Sequence, residues 1–60
     1  MRRFVGKKGM LSEQYVFDLT EKGPNVYEFL IYHLPTRDKY MYVVHGVNWA
    51  AINYKFTEVS

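Results

Sequence analysis

The 60-residue chain has no cysteine, and it has only two prolines and four glycines. The lack of cysteine excludes a disulfide framework and a thiolate zinc site, which many very small domains use to supplement a small hydrophobic core. Stability is therefore expected to come from side-chain packing, for which the chain supplies one tryptophan, six tyrosines and four phenylalanines. No internal repeat, low-complexity tract or linker is visible, so residues 1–60 are predicted to form a single domain.

Long apolar runs are also missing. No run approaches the roughly 18 to 20 residues that a membrane-spanning helix needs. The first twelve residues carry four cations, and no apolar signal core follows them. We therefore expect a cytoplasmic protein without membrane contact, located in the host cell if a phage encodes it.

The features that an enzyme needs are absent as well. The chain is too short for a Rossmann unit, an α/β barrel or a two-domain cleft. Neither Ser12 nor Ser60 lies in a G-x-S-x-G nucleophile elbow. The six acidic residues are scattered singly, without a calcium loop or a carboxylate pair. The sequence predicts a protein that is not an enzyme and that holds no cofactor.

Alternation of apolar and polar residues predicts strands over 13–20, 26–33, 39–45 and 50–57, and a shorter fifth strand over 2–5. The short connections 21–25, 35–38 and 46–48 predict antiparallel neighbours, and 6–9 is predicted to be a hairpin turn leading into residues 10 and 11. The fold class is therefore all-β, a small antiparallel meander that can curl into an open barrel of the SH3 or OB kind. Residues 48–53 also fit a short helical turn capped by Asn48.

Turn positions predict the strand register. The predicted partners in the second and third strands are Tyr32 with Met41, Ile31 with Tyr42, Leu30 with Val43 and Glu28 with His45. For the last hairpin the predicted partners are Tyr42 with Ile52 and Tyr40 with Tyr54. One face then becomes an aromatic core made of Tyr15, Phe17, Leu19, Tyr27, Phe29, Ile31, Tyr40, Tyr42, Val44, Ile52, Tyr54 and Phe56.

The opposite face is unusually apolar for a sheet face that meets solvent. Its predicted apolar members are Val16, Val26, Leu30, Tyr32, Met41, Val43 and Trp49. An antiparallel sheet normally keeps one polar face in water, and exposed apolar patches of several hundred Å² mark interaction sites. Three explanations stay open: tight coiling with the N-terminal segment across this face, self-association as a homodimer, and a protein partner.

Residue types that are enriched at interfaces gather on this second face. The predicted partner-binding residues are Trp49, Tyr32, Met41, Val43 and Leu30. Four cations are predicted to steer an acidic partner toward it: Arg2, Arg3, Lys7 and Lys8. The sequence thus favours a non-enzymatic small protein that occupies a surface of another protein. It would act as a regulator or inhibitor of the kind that phages and other mobile elements often encode.

Single-strand nucleic-acid binding is the alternative, because the isoelectric point is about 9.0 and the tyrosine-rich face adjoins a basic N-terminus. Charge distribution weighs against it, since residues 9–60 hold four basic and six acidic side chains. The basic turn 6–9 lacks the rest of a phosphate-binding loop. His33 and His45 are predicted on opposite faces, so no shared metal site is expected.

Overall fold

A computed structural model describes all 60 residues. Its elements, in chain order, are β1 (Arg2–Gly6), a 3₁₀ helix (Leu11–Gln14), β2 (Tyr15–Gly23), β3 (Val26–His33), β4 (Asp38–His45), α1 (Trp49–Lys55) and β5 (Phe56–Glu58). All strand pairs are antiparallel. The prediction of an all-β antiparallel fold is confirmed, and α1 is its one short α-helix.

The five strands form one sheet in the order β4-β3-β2-β1-β5. The last strand returns to pair with the first, with Phe56 opposite Gly6, and it does not reach β4. The sheet is therefore open, with β4 at one edge and β5 at the other. The seven residues of α1 are far fewer than a bilayer-spanning helix requires, and no other helix is longer.

The strand predicted over 50–57 is wrong, because most of that segment forms α1. The helical alternative at 48–53 describes it better: the Asn48 side chain accepts a hydrogen bond from the Ala51 N–H at 3.2 Å, and the two alanines favour helix. The predicted pairing of β4 with this segment is consequently wrong. The predicted N-terminal hairpin is wrong too, since β1 pairs with β2 and places Phe4 opposite Phe17.

The register between β3 and β4 differs by two residues from the prediction. The observed partners are Tyr32 with Lys39, Ile31 with Tyr40, Leu30 with Met41, Phe29 with Tyr42 and Glu28 with Val43. The turn closes earlier than expected because the Arg37 N–H donates to the His33 carbonyl at 2.8 Å, with Arg37 at φ 63°. A shift of two leaves every side chain on its predicted face. The predicted contact between Glu28 and His45 is wrong, because Glu28 lies opposite Val43. Its Oε2 atom instead forms an ion pair with Lys22 Nζ at 3.5 Å.

The hydrophobic core is small and lies under α1. Its fully buried apolar residues are Phe4, Phe17 and Leu19. Partly buried side chains from α1, β3 and β5 pack around them: Tyr27, Phe29, Ile31, Trp49, Ile52 and Phe56. The Phe4 and Phe17 rings stack with centroids 4.8 Å apart, and Phe56 meets Phe17 edge-on at 4.9 Å. We call this covered side of the sheet face one and the other side face two.

Three tyrosines that were predicted in the core are exposed. Tyr40 and Tyr42 lie on face one of β4 with 43% and 53% of their surface exposed, and Tyr54 on α1 is 68% exposed. The reason is the short helix, which covers β1 and β2 and leaves the β4 side of face one uncovered.

Candidate functional site

Four of the five predicted partner-binding residues lie together on face two of the β3–β4 hairpin. Leu30 is directly opposite Met41, and Tyr32 and Val43 are their neighbours on the same face. Met41 and Val43 are 64% and 59% exposed, whereas Leu30 and Tyr32 are half-buried. We call these four residues the apolar patch.

Trp49 does not belong to the patch, so its predicted placement on face two is wrong. It is the first residue of α1 and packs on face one, with its ring 6.1 Å from Phe4 and 6.4 Å from Tyr27. The Arg2 guanidinium lies over the indole at 4.7 Å. The prediction placed Trp49 on face two because it assumed the alternation of side chains along a strand. That alternation does not apply to a helical segment.

A carboxylate is buried at the centre of face two. Asp18 is 4% exposed and accepts two hydrogen bonds from the Arg3 guanidinium, at 2.7 and 2.9 Å. These hydrogen bonds lower the pKa of Asp18, against the effect of burial, and they raise the pKa of Arg3. The Arg3 guanidinium also lies 6.0 Å from the Tyr32 ring, beside the apolar patch. Sequence reasoning missed this pair because it depends on β1 pairing with β2.

The four predicted steering cations do not form one patch. Arg2 lies on face one and makes a bidentate ion pair with Glu58 at 2.7 and 2.9 Å, which lowers the pKa of Glu58. Arg3 lies on face two, in its pair with Asp18. Lys7 and Lys8 are exposed in the connection after β1. Two of the four charges are therefore balanced by carboxylates.

A basic recess lies at one end of face two, where the β3–β4 turn meets the sheet. Its volume is about 480 Å³, and its wall includes Arg3, Arg37, Lys39 and Tyr32, without any carboxylate. Arg37 and Lys39 make no ion pair within the chain. Sequence analysis did not select Arg37 and Lys39. The correct register would have placed Lys39 opposite Tyr32, but the predicted register was displaced by two positions and placed Met41 there.

A second recess of about 490 Å³ lies on face one, between the 3₁₀ helix and the end of α1. Met10, Leu11, Tyr15 and Phe56 supply its apolar wall, and Lys55 is its one charged residue. Its wall contains no carboxylate and no histidine.

The histidines lie on opposite faces of the sheet, as predicted. His33 bonds to Thr36 Oγ1 through Nδ1 at 2.8 Å and to Gln14 Oε1 through Nε2 at 3.2 Å. His45 is exposed on face two at the end of β4, opposite Val26. No group of three histidine, aspartate or glutamate side chains has a geometry that would hold a metal ion.

The buried Asp18–Arg3 pair is expected to make the folding stability depend on pH. The pKa of Asp18 is lowered in the folded state, so its stabilising effect is complete above the unfolded value of about 3.9 and is lost as the pH falls through the folded value. Asp18→Asn is expected to cost about 1.5 kcal/mol at neutral pH, the lower end for hydrogen bonds to a charged group, because Arg3 is half-exposed. Urea unfolding from pH 7 to pH 2 should show the two stabilities converging in acid.

Glu58→Gln is the matched control for this experiment. Its ion pair with Arg2 has side chains 40% and 50% exposed, so solvent screens it and a smaller effect is expected. A constant stability difference between wild type and Asp18→Asn over the whole pH range would contradict the prediction.

Comparisons with protein-family models, with curated proteins and with solved structures found no match to this chain.

Proposed function

We propose that this protein is a non-enzymatic binding module that occupies a surface of another protein and thereby regulates or inhibits it. The observation that carries the proposal is on face two, where the apolar patch adjoins a recess lined by three cations. Both helical segments pack on face one. The patch therefore remains available to a partner.

The apolar patch supplies affinity. Fully burying one such side chain is worth about 1.5 to 3 kcal/mol, so covering Met41 and Val43, which are roughly three-fifths exposed, contributes about 2 to 4 kcal/mol. Tyr32 and Leu30 are half-buried and form a firm base for that contact, since their backbones are paired on both sides. Tyrosine and methionine are also residue types that interfaces favour.

The basic recess supplies orientation. Arg37 and Lys39 carry charges that no carboxylate of the chain balances, and Arg3 presents the outer part of its guanidinium beside them. A protein surface that carries carboxylates next to apolar side chains complements this arrangement. Opposite charges of this kind accelerate association and fix the orientation of the complex.

Single-strand nucleic-acid binding is supported by one observation, the presence of Tyr32 in the basic recess. The exposed β-strand tyrosines, Tyr40 and Tyr42, lie on face one, on the opposite side of the sheet from Arg37 and Lys39. Nucleic-acid platforms interleave stacking aromatics with cations. A single tyrosine beside three cations fits a protein partner better.

A peptide-display selection against the folded chain tests the proposal. The expected peptides combine Asp or Glu with aliphatic or aromatic residues. Met41→Ser and Arg37→Ala are each expected to weaken their binding about tenfold, equivalent to about 1.4 kcal/mol. Tyr54→Ser, on the exposed side of α1, is the matched control and should leave affinity unchanged.

A titration with single-stranded oligonucleotide completes the test. The proposal predicts no oligonucleotide affinity that competes with the selected peptides. Affinity that falls steeply between about 50 and about 200 mM salt, together with a selection that enriches no peptide, would overturn it in favour of nucleic-acid binding.

A further inference from the structure

The two edges of the sheet differ in a way that points to a second contact surface. β5 has three residues, and the Arg2–Glu58 ion pair lies beside it. β4 has eight residues, pairs with β3 without a register shift, and contains no proline. Proteins usually protect a sheet edge with short strands, bulges, prolines or several lysines. β4 has one lysine, Lys39, near its beginning.

The backbone of β4 can accept another strand. The Gly46 N–H donates to the Asn25 carbonyl at 2.8 Å, which sets the alternation of hydrogen-bonded pairs along β3 and β4. Even-numbered residues of β4 therefore direct their N–H and C=O groups toward β3. The outward groups belong to the odd-numbered residues, namely Lys39, Met41, Val43 and His45.

The side chains of β4 are apolar and exposed on both faces. Nine large hydrophobic side chains of the chain are exposed, and four of them are consecutive in β4: Tyr40, Met41, Tyr42 and Val43. The chain exposes 4488 Å², whereas a folded monomer of 7.2 kDa typically exposes about 4,100 Å².

We propose that β4 pairs antiparallel with β4 of a second copy of this chain, about a two-fold axis perpendicular to the sheet at Tyr42. The two five-stranded sheets then form one sheet of ten strands. Such an axis pairs odd-numbered residues with odd-numbered ones, so the outward N–H groups of each copy meet the outward carbonyls of the other.

The side chains of β4 are self-complementary in this register. Met41 lies opposite Val43 of the second copy, Tyr40 opposite Val44, and Tyr42 opposite itself, so apolar residues meet apolar residues on both faces. Lys39 meets His45 at the polar ends. Moving the axis to Met41 would place Lys39 opposite Val43, a charged side chain against an apolar one. A second copy therefore matches this edge in sequence as well as in backbone geometry.

The same symmetry places face two of both copies on one side of the sheet. The two apolar patches then join, because Met41 of one copy neighbours Val43 of the other. The dimer would then present two copies of the proposed binding surface on one side of the sheet. The pairing itself does not depend on the proposed function.

Solution mass by light scattering over a concentration series tests the pairing. Wild type is expected at twice 7.2 kDa. Val43→Pro is expected to be monomeric and folded, because the lost N–H points outward and a proline is tolerated on the open side of an edge strand. Val43→Thr keeps the N–H and the side-chain shape, and it should remain dimeric. Circular dichroism of all three proteins verifies folding.

Single cysteines test the register, since the chain has no other cysteine. Tyr42→Cys should form a disulfide-linked dimer on mild oxidation, because a non-hydrogen-bonded antiparallel pair has Cα atoms about 4.5 Å apart, within the range of a disulfide. Tyr40→Cys lies on the same face and should not cross-link, because the two copies of residue 40 would lie four positions apart along the pair. Preferential cross-linking of Met41→Cys would overturn the register.

A wild-type protein that is monomeric at its highest soluble concentration would overturn the second-copy proposal. If that monomer still binds the selected peptides through Met41 and Arg37, the proposed function stands alone. If those peptides lose affinity in His45→Pro but not in His45→Ala, the edge accepts a foreign strand instead, because His45 lies outside the apolar patch and only the proline variant loses the outward N–H. A dimer that binds no peptide would leave the pairing supported and the proposed function contradicted.

Discussion

Replacing Gly6 with alanine is expected to remove a large part of the protein's folding stability. A Cβ atom at Gly6 would overlap the Ser12 carbonyl, and the Glu13 amide nitrogen lies close behind it. These are backbone atoms, so no side-chain rotation relieves the overlap. The 3₁₀ helix that carries them is itself held, because Ser12 Oγ donates to the Lys55 carbonyl at 2.7 Å.

The expected cost of Gly6→Ala is about 3 kcal/mol or more, at or above the usual range for overpacking. The total stability of a 60-residue domain is on the order of 3 to 9 kcal/mol. Gly23→Ala is a closely matched control, because a Cβ there meets nothing within 4 Å and the backbone needs no positive φ. Urea unfolding followed by circular dichroism measures both variants, and equal stabilities would contradict the close approach at Gly6.

Phe4→Ala is expected to destabilise the fold by about 3 to 5 kcal/mol, the usual cost of removing a buried phenylalanine. Phe4 is 1% exposed, stacks on Phe17 and contacts the Trp49 ring at a centroid distance of 6.1 Å. Its removal leaves a cavity between the sheet and α1. Because the core has three fully buried apolar residues, the chain has little other packing to offset the loss.

Tyr54→Ala is the aromatic control for Phe4→Ala. Tyr54 is 68% exposed, and its truncation is expected to change stability by less than about 0.5 kcal/mol, as for most surface positions. Comparing the two variants also distinguishes the core seen in the structure from the core predicted from alternation. Alternation alone places Tyr54 in the core and does not include Phe4. Equal destabilisation by both variants, measured in the same urea titration, would contradict the packing of α1 over β1 and β2.

Three of the five strands, β2, β3 and β4, could be predicted because strand periodicity is a local property. Side chains alternate with a period of two, so β2, β3 and β4 and the faces of their residues follow from residue order. For the same reason all four residues of the apolar patch were predicted on one face, together with the misplaced Trp49, although the β3–β4 register was displaced by two positions. An even displacement keeps each residue on its face, so the grouping of Leu30, Tyr32, Met41 and Val43 tolerated the error.

Residues 49–55 could not be assigned from their pattern. The spacing of apolar residues in this segment fits both a strand and a short helix. A capped helix of seven residues is stable only when it packs against other elements. Trp49 and Ile52 pack against the core cluster of β1 and β2, whose residues lie far away in the chain. The error then moved Trp49 to the wrong face and hid the pairing of β5 with β1.

The sequence alone determined that this protein is a small antiparallel β domain, that it has no cysteine to stabilise it, and that one hairpin carries apolar residues on both faces. Only the tertiary structure decided which face α1 covers, which strand remains at an open edge, and which cations gather beside Tyr32. The first group depends on composition and on contacts between neighbours in the chain. The features in the second group depend on the order of the strands in the sheet. That order is set by which distant segments pack around the same few aromatic rings.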